Sequence, residues 1–92
     1  MTKNDLATKL SVRTGLSHEQ SLEAIEALIA IATNTFKEGH NIYLRGFGTM
    51  KIVTRKAKLA RKISDGTTVM VPTHKTVKFV PSPVVKSILN DL

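Results

Sequence analysis

Residues 45–62 read RGFGTMKIVTRKAKLARK, and this stretch decides which fold the sequence predicts. It carries seven cations and no acid, begins with alternating apolar and polar residues, and leads to a turn signal at Asp65-Gly66. A strand rises about 3.3 Å per residue, so roughly ten residues on each side of the turn would extend about 30 Å. We therefore expect a two-stranded basic arm that lies along a nucleic-acid groove.

The same turn predicts how the two strands pair. If it has two central residues, Ile52 faces Phe79 and Thr54 faces Val77. In this register four apolar residues share one face at the base of the arm, as a sheet packed on helices requires. They are Met50, Ile52, Val77 and Phe79.

Two helices are predicted before the sheet. Thr2 and Asp5 have the spacing of a helix cap, and this first helix should end near Gly15. Ser17 and Gln20 have the spacing of a capping box for a second, longer helix. The second helix is apolar over a wide stripe, which indicates burial on more than one side, so we interpret it as part of a subunit interface.

The chain is predicted to close with a short third helix. Ser82 suits the N-cap, and Pro83 suits the first helical position, where a missing N–H is not needed. Glycines on both sides of Phe47 allow a tight turn between strands. Helices, then strands, then a helix indicate an α+β fold.

Charge is unevenly distributed along the chain. Residues 1–40 hold four cations and five acids, whereas residues 41–92 hold ten cations and two acids, within a net charge of +7. The C-terminal half is therefore the predicted binding half, and its partner is predicted to be a polyanion.

Size and composition limit the remaining function classes. A chain of 92 residues has room for one domain and buries a modest fraction of its surface when alone, so a partner subunit would help. The absence of cysteine suits a reducing cytoplasm, and the lack of an apolar signal segment or membrane-length run predicts a soluble protein without membrane association. Three scattered histidines and no nucleophile or carboxylate pairing predict no metal, no cofactor, no small-molecule substrate and no enzymatic activity.

The order of these elements resembles a known family. Two helices, a hairpin centred on Gly-Phe-Gly-Thr at residues 46–49, a basic arm with cations at Arg55, Lys58 and Arg61, and a terminal helix are similar to the bacterial HU/IHF family of histone-like DNA-bending proteins, and to HU more than to IHF. The resemblance covers the whole chain as one domain, residues 1–92, with a body at 1–54 and 76–92 and a DNA-binding arm at 55–75. It implies an intertwined dimer whose three-stranded antiparallel sheet extends into a protruding two-stranded arm that embraces DNA through the minor groove.

The resemblance and the cation pattern together indicate which residues contact DNA. Those expected to meet the minor groove or its phosphates are Arg55, Lys58 and Arg61, followed by Lys56, Lys62 and Lys75. Those that the resemblance implies as clamps on flanking DNA are Lys3, Lys51 and Lys86, for which a solvated surface lysine remains an equal alternative. Ile63 stands where most members of the family carry a proline that wedges between base pairs, and isoleucine can also wedge.

The predicted function is a nucleoid-associated architectural protein that binds duplex DNA as a dimer and bends or compacts it, mostly without regard to sequence. An IHF-like protein that prefers particular sites is the alternative within the family, and a heterodimer is left open. An RNA-binding basic protein is a weaker alternative because the arm lacks aromatic residues for stacking. A dimerisation module for an acidic protein is a third.

Overall fold

The computed structural model describes residues 1–61 and 66–90. These belong to two compact units, Met1–Glu38 and Gly39–Leu92. The predicted tip residues Lys62 and Ile63 and the Asp65 turn position lie outside the described residues.

The first unit is a pair of helices, α1 at Lys3–Thr14 and α2 at His18–Lys37. The predicted cap at Thr2 and the predicted capping box at Ser17 are both confirmed: the Thr2 hydroxyl accepts from the N–H of Asp5, and the Ser17 hydroxyl accepts from the N–H of Gln20. The Thr2 N–H donates in turn to the Asp5 carboxylate at 2.8 Å. These hydrogen bonds, the backbone one first, lower the pKa of the Asp5 carboxyl from its ordinary value of 3.8.

α1 packs against α2 in this unit. Ala7 on α1 and Ser21 on α2 are its fully buried residues among those described, and their small side chains allow the helix backbones to approach closely. α1 ends at Gly15, whose φ of 81° lies in the left-handed region that favours glycine.

The second unit contains five strands and a helix. In chain order these are β1 (Ile42–Leu44), β2 (Gly48–Arg55), β3 (Lys58–Arg61), β4 (Thr68–Val71), β5 (His74–Pro81) and α3 (Pro83–Asn90). β1, β2 and β5 form a three-stranded antiparallel sheet in that order, while β3 and β4 form a separate two-stranded ladder. The predicted sheet and two-stranded arm are therefore both present.

The predicted register of the hairpin is wrong by two residues. Ile52 pairs with Val77, and Thr54 pairs with Lys75. The prediction centred the turn between Asp65 and Gly66, but the outermost described pair, Arg61 with Thr68, has its midpoint between positions 64 and 65, one residue earlier in the chain. Because the displacement is even, the predicted apolar face keeps the same members.

The turn between β1 and β2 is set by two glycines with different roles. Gly46 has a φ of 81°, which lets the N–H of Phe47 donate to the Leu44 carbonyl at 3.0 Å. Gly48 is buried, and a Cβ there would lie 2.6 Å from the Val80 carbonyl oxygen and 2.7 Å from Cε1 of Phe79. β2 and β5 thus approach each other closely only because residue 48 has no side chain.

α3 begins as predicted. The Ser82 hydroxyl accepts from the N–H of Val85 at 3.3 Å, and Pro83 is the first helical residue. Across the described ranges, none of the three helices has the length and apolar character needed to cross a bilayer.

Candidate nucleic-acid interface

The second unit is strongly cationic. Its described residues, 39–61 and 66–90, include nine cations and no acid, whereas Met1–Glu38 has four cations and five acids. Without carboxylates nearby, the cations of the second unit have no internal counter-charge within these ranges. They create a positive field that attracts a polyanion.

The cations predicted for the arm occupy successive positions along it. Arg55 ends β2, Lys56 follows it, Lys58 begins β3 and Arg61 ends β3. The first three are exposed, so their charges are accessible. Lys62, also predicted to contact DNA, lies outside the described residues, as does the predicted wedge Ile63.

The sheet and the outer ladder are separated by a break of two residues in each strand, at 56–57 and 72–73, which we call the neck. The sheet ends at the pair Arg55 and His74, and the outer ladder begins at the pair Lys58 and Val71. The pairing therefore resumes in the same register. Pro72 has no N–H to donate, and it is located where the ladder is interrupted.

Side-chain hydrogen bonds replace strand pairing in the neck. The N–H of Ala57 donates to Oγ1 of Thr73 at 3.1 Å. The Nδ1 atom of His74 lies 2.9 Å from the carbonyl oxygen of Pro72. The first bond joins the two neck strands where backbone pairs are missing, and the second lies within one strand and fixes the orientation of the His74 ring.

A basic pocket of about 510 Å³ opens beside the neck. Three of the cations in the second unit line it, Arg55, Lys56 and Lys58, together with His74 and Thr76. Several donors at one concave surface suit a phosphate group.

One face of the sheet continues this cationic surface. Lys51 and Arg55 are separated by an even number of positions on β2, so their side chains lie on the same face of the sheet. Their partners on β5, Lys78 and His74, lie on that face as well. Lys51 and Lys78 are directly paired across the strands, and like charges in that arrangement destabilise a free sheet. An anion bound between them would remove the repulsion.

Lys78 and His74 were not among the predicted site residues. Their chain spacing from Lys51 and Arg55 carries no signal by itself, since only the strand register brings each pair together. The predicted register would have paired Lys51 and Arg55 with other residues. With the turn centred one residue earlier, the sequence would have paired Lys51 with Lys78 and Arg55 with His74.

The remaining predicted clamps occupy three different elements. Lys51 is on β2 and Lys86 is on α3, both exposed, and Lys75 is an exposed residue of β5 paired with Thr54. Lys3 on α1 lies in the first unit, where its Nζ is 3.1 Å from Oε1 of Glu26. About half of each of these two side chains is exposed, so this ion pair is weak and a phosphate can compete for Lys3.

The described residues show no arrangement that favours a function other than anion binding. No group of three or more histidines, cysteines or carboxylates within 1–61 and 66–90 is arranged to hold a metal ion.

Comparisons with known proteins agree with this arrangement. A family model described as bacterial DNA-binding protein matches residues 1–90. DNA-binding protein HU from Caulobacter vibrioides is 40% identical over 89 residues, 97% of each chain. Integration host factor subunit alpha from Myxococcus xanthus is 30% identical over 98% of this chain and 70% of that relative.

The fold also matches a solved structure. The chain in the Anabaena HU–DNA cocrystal structure superimposes with a TM-score of 0.88, at 17% identity and with complete coverage of both chains. At that identity the likeness concerns the fold, and it confirms the predicted α+β order of helices, sheet and two-stranded arm.

Proposed function

Because the chain belongs to the HU/IHF family of bacterial DNA-binding proteins, we propose that it is a histone-like architectural protein that binds duplex DNA as a dimer and bends it, largely without regard to sequence. The observation that carries this proposal is the acid-free basic surface formed by the outer ladder, the neck and one face of the sheet. It is a binding protein rather than an enzyme, and it acts in the cytoplasm on the nucleoid.

Exposed apolar surface supports the dimer. Ala7 is the buried hydrophobic residue among those described, while Leu28 and Ile31 on α2 are 66% and 63% exposed. A chain with so small a core is not stable by itself. In the first unit an apolar groove between α1 and α2 leaves Leu6 and Ile25 accessible, and a second copy of the chain would cover such surfaces.

The size of the protein in solution tests the dimer directly. Sedimentation of the purified chain should give a dimer of a 10.1 kDa protomer, with thermal stability that rises with protein concentration. A folded monomer with a sharp, concentration-independent melting transition would contradict it.

We assign DNA contact first to Arg55, Lys58 and Arg61 of the arm. The further contacts in this proposal are Lys56, Lys62 and Lys75 near the arm, and Lys3, Lys51 and Lys86 on the body. Their affinity for DNA comes from neutralising phosphates, so the logarithm of the binding constant should fall with the logarithm of salt concentration by about 0.9 per phosphate contacted.

Matched single substitutions test this assignment. Lys58→Gln should weaken duplex binding and reduce the salt slope by about 0.9 per chain. Lys37→Gln removes the same charge from an exposed lysine of α2 and should leave the slope unchanged. Fluorescence anisotropy with a labelled duplex measures both, and an equal effect of the two substitutions would contradict the assignment.

Ile63 is proposed as the residue that wedges between base pairs, which costs a few kcal/mol of stacking that wider contact offsets. Energy transfer between dyes at the ends of a duplex should therefore report less bending with Ile63→Ala and restored or stronger bending with Ile63→Pro. Identical bending by all three proteins would remove this role. Nicked duplex, which is easier to deform, should bind more tightly than intact duplex.

An IHF-like preference for particular sites is the second candidate, favoured by the 30% identity to integration host factor subunit alpha. Deformable sites would then be selected over random sequence by their shape. Competition between a pool of random duplexes and the sequences enriched from it separates the two functions. Enrichment of a defined motif by a large factor would favour the IHF-like function.

A further inference from the structure

His74 is placed among cations at the neck. It is exposed, it is paired with Arg55 across the strands, and it lines the same pocket as Lys56 and Lys58. β5 is followed by α3, whose single charged residue is Lys86. Every charged group on the described elements around His74 is therefore positive.

The hydrogen bond of the ring fixes which nitrogen carries a proton. A carbonyl oxygen only accepts, so Nδ1 of His74, 2.9 Å from the Pro72 oxygen, must be the donor. A neutral ring then has a bare lone pair on Nε2, which makes no hydrogen bond to any residue in the described ranges. A lone pair repels a phosphate oxygen, whereas a protonated Nε2 donates to it with a full positive charge.

We propose that His74 is a further phosphate contact of this protein, and that it acts only when its imidazole is protonated, so that DNA binding takes up a proton and strengthens as pH falls. The inference rests on the proposed function. A phosphate in the pocket supplies the negative charge that the described residues around His74 lack. Histidine side chains in general change charge between about pH 5 and 8, so this is the range in which the proposal is tested.

Two measurable quantities follow. Duplex affinity should fall by about threefold to tenfold per chain between about pH 5.5 and about pH 8 at constant salt, because one charge-assisted contact is lost. The salt slope should be steeper at the lower pH by about 0.9 per chain, because one more phosphate is neutralised. DNA phosphodiesters do not titrate in this range, so the change belongs to the protein.

The test is a titration of the 92-residue chain with a short duplex at both pH values. Anisotropy measures the affinity, and calorimetry in buffers of different ionisation enthalpy measures the number of protons taken up. Wild type should take up about 0.3–0.5 proton per chain near the midpoint, which is the uptake that a threefold to tenfold change in affinity requires. His74→Gln should bind duplex with a salt slope that does not depend on pH, and it should take up fewer protons than wild type on binding. His74→Arg, which is always charged, should bind at about pH 8 with the slope that wild type shows at about pH 5.5.

His40→Gln is the matched control, since His40 is an exposed histidine of the same unit that lies between α2 and β1. It should behave as wild type does at both pH values. Far-ultraviolet circular dichroism and melting of each variant confirm that the fold is kept.

The outcomes separate this inference from the proposed function. Failure of wild type to bind duplex at either pH would overturn both. Salt-dependent duplex binding whose pH dependence survives unchanged in His74→Gln would overturn the role of His74 alone. Loss of the pH dependence in His40→Gln instead would assign it to another histidine and overturn the inference equally.

Discussion

Substitution of Gly48 by alanine tests how closely β2 and β5 must approach in the sheet that carries the arm. The new Cβ would be 2.6 Å from the Val80 carbonyl oxygen, and ordinary contact begins near 3.4 Å, so a shift of about 0.8 Å is required. The Phe79 ring, 2.7 Å away, can turn aside, but the carbonyl belongs to β5, which is held to β2 by the pair of Gly48 with Pro81. Overpacking of this kind typically costs about 1–3 kcal/mol, and we expect the upper half of that range.

Urea unfolding at a fixed protomer concentration measures this loss, because the stability of a dimer depends on concentration. Gly46→Asn is the control: nothing lies within 4 Å of a Cβ at Gly46, and asparagine tolerates its positive φ, so a much smaller loss is expected. Combining Gly48→Ala with Phe79→Leu should recover only part of the stability, since the clash with the carbonyl remains. A Gly48→Ala protein within about 0.5 kcal/mol of wild type would refute the reasoning.

Three further substitutions probe an ion pair, a helix cap and a pair of like charges. Glu26→Gln should change the free energy of unfolding by less than about 1 kcal/mol. It should nevertheless raise the affinity for DNA and the salt slope, because Lys3 loses its ion-pair partner and becomes free to contact phosphate. An unchanged salt slope in duplex titrations would exclude Lys3 from the interface. Asp5→Asn should destabilise the protein at neutral pH and make its stability less sensitive to acid. The lowered pKa of the Asp5 carboxyl contributes stability above about pH 3.8, and this stability disappears as pH falls through the pKa of the folded protein. Urea unfolding across a pH series measures the effect, and a loss of stability in acid equal to that of wild type would contradict it. Lys78→Gln should raise stability by about 0.2–1 kcal/mol by relieving the repulsion from Lys51, while weakening DNA binding; a loss in both unfolding and binding assays would contradict the role of this pair.

The local parts of the fold were predictable because their causes are local. The capping boxes at Thr2 and Ser17 involve residues three positions apart, and the start of α3 depends on the adjacent residues Ser82 and Pro83. Such short spacings leave few geometric alternatives.

The strand register was not predictable to the same degree. It depends on where the turn between β3 and β4 is centred, and an Asp-Gly sequence signals a turn without fixing its centre to the residue. The apolar face at Met50 and Ile52 was nevertheless identified, because alternation fixes a face for any even displacement.

The candidate site divides in the same way. The order of cations along the arm follows directly from the sequence, so Arg55 and Lys58 could be predicted as candidate DNA contacts without a structure. The pairing of Lys3 with Glu26 and the position of His74 beside Arg55 depend on which elements become neighbours. These contacts determine which cations are already paired and which are grouped, and they follow from the three-dimensional fold, not from spacing along the chain.

The neck has the same number of residues in both strands, and this equality constrains how the protein can vary. Side chains alternate sides with every residue, so one extra residue in a single strand would turn all later cations of that strand to the opposite side. Substitutions at 56–57 or 72–73 do not change which side of the arm the later residues face. An insertion there is tolerable only when the facing strand lengthens with it.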